Sequence, residues 1–166
     1  IERESDTDLV IPDGTTYIAD YAFYQNSGLR NVTIPSTVTS IGVNSFRECS
    51  NLQTTLPNSI NNISKLAFGG CTNLVITEIP TGVTTLNESA FEVCTSIQTL
   101  TTHDRLKTFG KNLFYGCTGL TSVTINCRID WYLSSGGRMD TTTFKNCTNL
   151  TTIRVPWASG AVSGAP

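Results

Sequence analysis

The chain has 166 residues, 39% of them hydrophobic and only 14% charged, with 11 basic against 13 acidic side chains for a net charge of −2. That composition supports one folded domain with a core of ordinary size, and it excludes a disordered polyelectrolyte and a basic footprint for nucleic acid or an anionic membrane. Thr, Ser and Asn fill about a third of the sequence, so hydroxyls and amides take the surface that charges occupy in an average protein.

No apolar run approaches the roughly 20 residues that span a bilayer, and Ile1-Glu2-Arg3-Glu4 does not open a signal segment. A first residue other than Met leads to the expectation of an excised domain or a processed chain. Residues 1–8 carry Glu2, Glu4, Asp6 and Asp8 and read as a solvated N-terminal tail. Residues 9–156 read as one repeat array. It opens on a short strand, Leu9 to Ile11, followed by Pro12. Pro35, Pro57 and Pro80 repeat that slot at spacings of 23, 22 and 23; His103 and Asn126 continue it at 23 and 23, and Pro156 closes it after 30. Eleven residues after each slot stands a Phe: Phe23, Phe46, Phe68, Phe91, Phe114, and then Phe144, where the interval has grown by seven. Three residues beyond the Phe comes Asn26, Cys49, Cys71, Cys94, Cys117 or Cys147, and three further on Leu29, Leu52, Leu74, Ile97, Leu120 or Leu150. An apolar column precedes the slot (Ile11, Ile34, Leu56, Ile79, Ile125 and Val155, interrupted by Thr102), and another follows it by six residues (Ile18, Ile41, Ile63, Leu86, Phe109). Residues 157–166 read as a C-terminal tail.

A unit of 23 residues cannot bury its own apolar face, so stacking of neighbouring copies must supply the core, as in a solenoid. Between the Leu and the Pro slot the residues alternate, as in Ser122-Val123-Thr124-Ile125, which is the two-residue period of a strand; stacked copies predict a parallel sheet whose ladder the Pro ends. A second β-rich stretch such as Ser36 to Ile41 follows, and Gly, Asn and Ser around the Phe and Cys positions suit turns or single helical turns, with no long helix. The alternation assigns two outward stripes. Asn31, Thr54, Ile76, Thr99, Ser122 and Thr152 form one, and Thr33, Glu78, Thr101, Thr124 and Arg154 the next.

The repeat Leu-x-x-Val-x-Ile-Pro-x-x-Val-x-x-Ile-x-x-x-Ala-Phe-x-x-Cys, nearly complete in TIPSTVTSIGVNSFRECSNL and EIPTGVTTLNESAFEVCTSI, resembles the BspA-like leucine-rich repeat family, the 23-residue class also called the Treponema type. The resemblance covers residues 9–156. It implies a β-rich leucine-rich-repeat solenoid of the α/β horseshoe type: a right-handed coil of about six repeats, with a parallel β-sheet on one face and short strands, turns or single helical turns on the other. Such repeats are found mostly in surface proteins of bacteria and some mucosal protists, often implicated in adhesion, so an extracellular or cell-surface location and a non-enzymatic recognition role are implied. The alternative is a structural spacer or a phage or virion fibre-type module, which the ending VPWASGAVSGAP resembles. Two departures stand out: His103 and Asn126 replace the Pro, and an insertion lies around residues 128–140.

Candidate chemistry is sparse. Five of six Cys share one column, where stacked copies lie about 4.8 Å apart with parallel Cβ vectors, so free buried thiols are expected in place of disulfides. No short Cys-x-x-Cys spacing suggests a metal site, and Cys127, outside the column, is expected at the surface. The single histidine, His103, would have to serve as base for any Ser or Cys nucleophile, yet it sits in a Pro slot beside Asp104 on an extended segment, where adjacent side chains diverge. Glu78 is the one carboxylate in the two stripes, and glycoside hydrolysis requires two. No phosphate-binding glycine loop or other cofactor motif is present. Sequons at Asn31, Asn62, Asn87, Asn146 and Asn149 are near what so Ser/Thr-rich a composition yields by chance.

The expected ligand is therefore a protein or a carbohydrate, met by the outward stripes or by Trp131 and Tyr132 in the insertion, with no cofactor, metal or nucleic acid and no membrane insertion. Trp, Tyr and flanking Arg128 and Arg138 suit a contact loop, and a lid in which Trp131 packs on the solenoid is the competing reading. The incomplete first and last strands lead to the expectation of further sequence on one side, or of end-to-end self-association.

Overall fold

The computed structural model describes residues 8–127 and 139–155. Eleven short strands follow in order: β1 (Asp8–Val10), β2 (Tyr17–Ile18), β3 (Asn31–Thr33), β4 (Ser40–Ile41), β5 (Gln53–Thr54), β6 (Asn62–Ile63), β7 (Thr85–Leu86), β8 (Thr99–Thr101), β9 (Thr108–Phe109), β10 (Ser122–Thr124) and β11 (Thr152–Arg154). All pairing is parallel and joins one coil to the next, which is the β-solenoid that a stacked 23-residue unit requires. The strands after the Pro slot form one five-stranded sheet, β2-β4-β6-β7-β9. Those before it form two three-stranded sheets, β1-β3-β5 and β11-β10-β8. No helix occurs among the described residues, so the side opposite the longer strands is made of turns and two-residue strands. Asp8, which the charge pattern assigns to the tail, is the first residue of β1.

The Phe column is the axis of the core. Rings of Phe23, Phe46, Phe68, Phe91, Phe114 and Phe144 stack with centroids 5.1, 5.4, 5.5, 5.6 and 5.7 Å apart and planes within 12° of parallel. The backbone at each ring but the last bonds to the next coil: the Phe46 N–H donates to the carbonyl of Ala67 (2.9 Å), and that of Phe68 to Ala90 (2.9 Å). The column residues Leu52, Leu74, Ile41, Ile63 and Leu86 are fully buried around it. Phe114 and Phe144 stack although 30 residues separate them, so the longer interval leaves the ring ladder undisturbed. Met139 forms a bridge with Phe109 and thereby occupies the next place in the column after the slot. A mid-ladder truncation removes two stacking contacts and leaves a cavity that flanking coils cannot close. Phe68→Ala or Phe91→Ala is therefore expected to lower stability by about 3–5 kcal/mol in urea melts, and a loss under about 1 kcal/mol would displace the column from the core.

All six cysteines are free and buried. Within the column each thiol donates to a carbonyl of the preceding coil: Cys49 to Phe23, Cys71 to Phe46, Cys94 to Phe68, Cys117 to Phe91 and Cys147 to Phe114, at 3.0 to 3.2 Å. Cys127 is a correction to the sequence reading. It is 1% exposed, with its sulfur 3.8 Å from the hydroxyl of Thr102, the one polar residue of that otherwise apolar column. The loss of Pro next to it is the reason: Asn126 uses an N–H that Pro lacks to donate to Thr102 Oγ1 (3.1 Å), and its side-chain amide donates to Thr102 O (2.8 Å). Thr102, Asn126 and Cys127 thus make a self-satisfied polar cluster in the wall of the solenoid.

Burial is the main reason that these thiols titrate high: Cys49 is pushed up to about 11 and Cys117 to about 12, with the neighbouring Cys147 adding to the latter. Cys71 and Cys94 rise by desolvation and by the thiols beside them. A folded value above the unfolded one of about 8.5 gives a contribution to stability that is whole below that pH and lost as pH climbs through the folded values. The urea midpoint is expected to fall between about pH 8.5 and 11, and less steeply in Cys117→Ala. An aromatic disulfide reagent should label no thiol quickly in the native protein at pH 8 and all six after unfolding without reductant; fewer than six would reveal a disulfide.

Five of the six turns around a Phe contain left-handed residues two before and two after the ring, and the turn around Phe144 has only the second, Asn146. Asn44 and Glu48 flank Phe46, Leu66 and Gly70 flank Phe68, Ser89 and Val93 flank Phe91, and Asn112 and Gly116 flank Phe114. Val93, at φ 58°, is the β-branched residue among them, in a region where Cβ crowds the backbone by about 1–2 kcal/mol. Gly70, Gly116 and Asn146 fill the same place in other coils. Val93→Asn is expected to raise stability by about 1 kcal/mol in thermal or urea melts; a decrease would mean that the valine side chain is worth more than its strain.

Candidate recognition face

The longer strands present their alternate residues to solvent because the intervening ones must fill the core. Val32, Leu100 and Val123 point in and are buried, while Asn31, Thr33, Thr99 and Thr101 are exposed and Ser122, Thr124 and Thr152 half-buried. Register aligns them: Thr99, Ser122 and Thr152 lie side by side, as do Thr101, Thr124 and Arg154. In the other sheet Asp8, Asn31 and Gln53 form the equivalent row, and the Asn31 amide donates to Asp8 (2.7 Å). The inward place of β11 falls to Ile153, which is 51% exposed.

Two of the outward residues inferred from alternation do not face outward. Thr54 pairs with Val32, so it occupies an inward place; it is half-buried and its hydroxyl donates to Val32 O (2.7 Å). Gln53 takes the outward place beside Asn31. Ile76 is buried at 7% exposure, whereas its neighbour Val75 is 56% exposed. The cause is the single 22-residue spacing. Leu52 and Pro57 are separated by one residue fewer than Leu29 and Pro35 or Leu74 and Pro80, and in a two-residue period one missing residue inverts the faces. The next coil regains register only at Glu78, which bridges Thr101. Three residues, Val75 to Thr77, therefore run opposite two, Gln53 and Thr54, and no strand forms there.

The face is consequently cut into two sheets with a gap between β5 and β8. A cavity of about 400 Å³ opens there among Asn31, Gln53, Thr55 and Val75, and a second of about 190 Å³ adjoins it between Thr55, Val75 and Glu78. Gln53, Thr55 and Val75 were not singled out by the periodicity, and the 22-residue interval was the signal that could have found them. A separate cluster lies on the turn side, where Tyr21 and Tyr24 meet edge to face (5.8 Å) and the Arg47 guanidinium sits 6.0 Å from the Tyr24 ring. Nearby, the Tyr17 hydroxyl donates to Asp20 (2.7 Å), which raises the phenol's pKa and lowers the carboxyl's.

The described residues bring no catalytic set together. His103 accepts the Arg105 N–H at Nδ1 (3.2 Å), and its buried Nε2 meets no serine, cysteine or carboxylate. Glu78 is exposed, and no group of three or more His, Cys, Asp or Glu among the described residues could hold a metal ion. No helix there is long and apolar enough to cross a membrane. Trp131 and Tyr132 lie outside the described residues.

Parallel short strands in register, a stacked aromatic column and a 23-residue period define a leucine-rich-repeat solenoid. The family described as BspA type leucine rich repeat region matches residues 3–121 and 39–158 in six copies, and the chain belongs to it. Among solved structures, the chain is similar to the leucine rich repeat protein of T. pallidum, with a TM-score of 0.75 and 26% identity over 90% of this chain and 70% of that one. A leucine-rich repeat protein from Bacteroides ovatus shares the fold (TM-score 0.62, 23% identity, 94% of this chain and 47% of that one). So does the pneumococcal vaccine antigen PcpA (TM-score 0.53, 24% identity, 96% and 32%). The chain spans less than half the length of these last two proteins. No curated protein matches the sequence.

Proposed function

We propose that the protein is a non-enzymatic recognition module, located outside the cell or on its surface, that binds a protein or glycan partner through the strand face or the loop around residues 128–140. The observation that carries this reading is the set of outward residues on the two sheets: Asn31 and Thr33 on one, and on the other the rows Thr99, Ser122, Thr152 and Thr101, Thr124, Arg154, each in register. Short hydroxyl side chains lose little rotamer entropy on binding, and strands 4.8 Å apart present them at a fixed pitch over a broad surface. Kinship with a T. pallidum repeat protein and fold likeness to a pneumococcal vaccine antigen support exposure to a host or to other cells.

Immobilised protein offered extracellular-matrix proteins and a glycan array is expected to show saturable binding to one of them. Thr33→Lys and Thr101→Lys together, on separate sheets and with no cation directly opposite, should weaken that binding at least about tenfold without shifting the melting temperature. Trp131→Ala tested beside them separates face from loop. If nothing binds saturably, the spacer or fibre-type module takes the place of the recognition reading.

A further inference from the structure

We infer that the turn side of the first four coils carries a carbohydrate-binding site: an aromatic corner at Tyr21 and Tyr24 for one sugar ring, and along the same row a notch over Gly69 and Gly70 for another. The site lies apart from the strand face and from residues 128–140 and does not depend on either. Its first ground is the placing of the tyrosines. Three of the five in the chain, Tyr17, Tyr21 and Tyr24, stand on one coil and are 49, 58 and 38% exposed. The repeat requires none of them, since the same places on the next coil hold Ser40, Asn44 and Arg47. Tyr21 also lies at φ 58°, in the left-handed region that Asn44 and Asn112 occupy in other coils and that a bulky side chain seldom adopts. Its ring meets that of Tyr24 at 81°, so two exposed rings make a corner of nearly perpendicular apolar surfaces. The C–H face of a pyranose packs on such a surface while its hydroxyls stay at the rim.

The notch continues the row. From coil to coil the residue after each Phe is Tyr24, Arg47, Gly69 and Glu92, and the next is Gln25, Glu48, Gly70 and Val93. Backbone bonds join these coils at every step: Gln25 N–H to Arg47 O (2.8 Å), Glu48 N–H to Gly69 O (2.7 Å) and Gly70 N–H to Glu92 O (2.7 Å). The third coil therefore lacks side chains there and not backbone. The two glycines leave a recess of about 200 Å³, walled by Arg47 and Glu48 on one side and by Glu92 and Val93 on the other, with Leu66 in its lining. Its polar groups are held in advance. The Gln25 amide donates to Glu48 (2.7 Å), and Arg47 lies 3.4 Å from the same carboxylate and 6.0 Å from the Tyr24 ring centroid. Glu92, half-buried, makes no hydrogen bond or ion pair through its carboxylate among the described residues. Fixed planar donors and acceptors between apolar patches suit neighbouring sugar hydroxyls, which both give and accept hydrogen bonds without charge. An anion would face Glu48 and Glu92, and a cation would face Arg47. Two coil spacings, about 10 Å, part the corner from the notch, so the ligand is a chain of at least about three sugars whose middle ring lies over Arg47 and Glu48.

The test is saturation-transfer NMR and calorimetry on the whole chain with neutral hexasaccharides of glucose, galactose, mannose or N-acetylglucosamine, each offered singly. At least one is expected to bind, with saturation strongest at ring C–H protons. Tyr21→Asn and Gly70→Asn introduce the residue that Asn44 and Asn146 already supply at those places in other coils, and Glu92→Ala removes a carboxylate that bonds to no described group. All three should melt like the parent, and affinity should fall at least about tenfold in each. Binding lost in Tyr21→Asn but untouched in both Gly70→Asn and Glu92→Ala overturns the notch. Binding that survives all three and falls only when Thr33→Lys and Thr101→Lys are combined puts the carbohydrate on the strand face and overturns the turn-side site. If no hexasaccharide binds, the site is overturned as well, while the strand face still stands or falls by its own test against matrix proteins.

Discussion

Main-chain hydrogen bonds set neighbouring coils about 4.8 Å apart, so every side chain lies against its own counterpart one repeat away. Whatever occupies a column must tolerate a copy of itself above and below. Flat rings satisfy this by slipping into parallel stacks, which is why six of seven phenylalanines share one place. Thiols satisfy it because the neighbour's backbone carbonyl is an acceptor at the right distance. Amides do so as well, as in Asn73 donating to Asn51 (3.1 Å). Repeated like charges would repel, and cross-coil pairs are instead complementary: Lys65 with Glu88 at 3.1 Å and Gln25 with Glu48 at 2.7 Å. The sparse charge of the chain follows from stacking.

The same constraint makes register unforgiving in some places and lax in others. Seven additional residues before Phe144 leave the ring stack intact. One residue missing after Leu52 breaks a sheet, because it falls within a two-residue period that every neighbour shares. Position within the repeat decides the structural effect, and length does not. Surface shape follows the same division: the unbroken sheets present uniform hydroxyl rows, and the irregular coil supplies the concavity.

The columns were legible in the sequence because solenoid stacking turns three-dimensional neighbours into residues about 23 apart. Phe, Cys and Leu columns, the two strand stretches and the family all follow from that period. What was not legible depended on local competition. Counting outward from Leu52 placed Thr54 on the surface, where main-chain pairing with Val32 turns it inward, and pushed Ile76 out although its burial is worth more than that of Thr77. Cys127 looked exposed for lack of a column of its own, whereas its place is made by a hydroxyl at Thr102 that also takes the Asn126 N–H. The gap beside Glu78 is the sum of such small displacements, and no single residue type announces it.

The gap also divides the molecule mechanically. At that boundary the five-stranded sheet continues through β6 and β7, and the Phe68 ring still lies on Phe91, but the outer ladder is interrupted. Two of three lines of attachment hold while the third is open, so bending is easiest there, about an axis along the intact side. The array is a pair of stiff arms joined at one compliant seam.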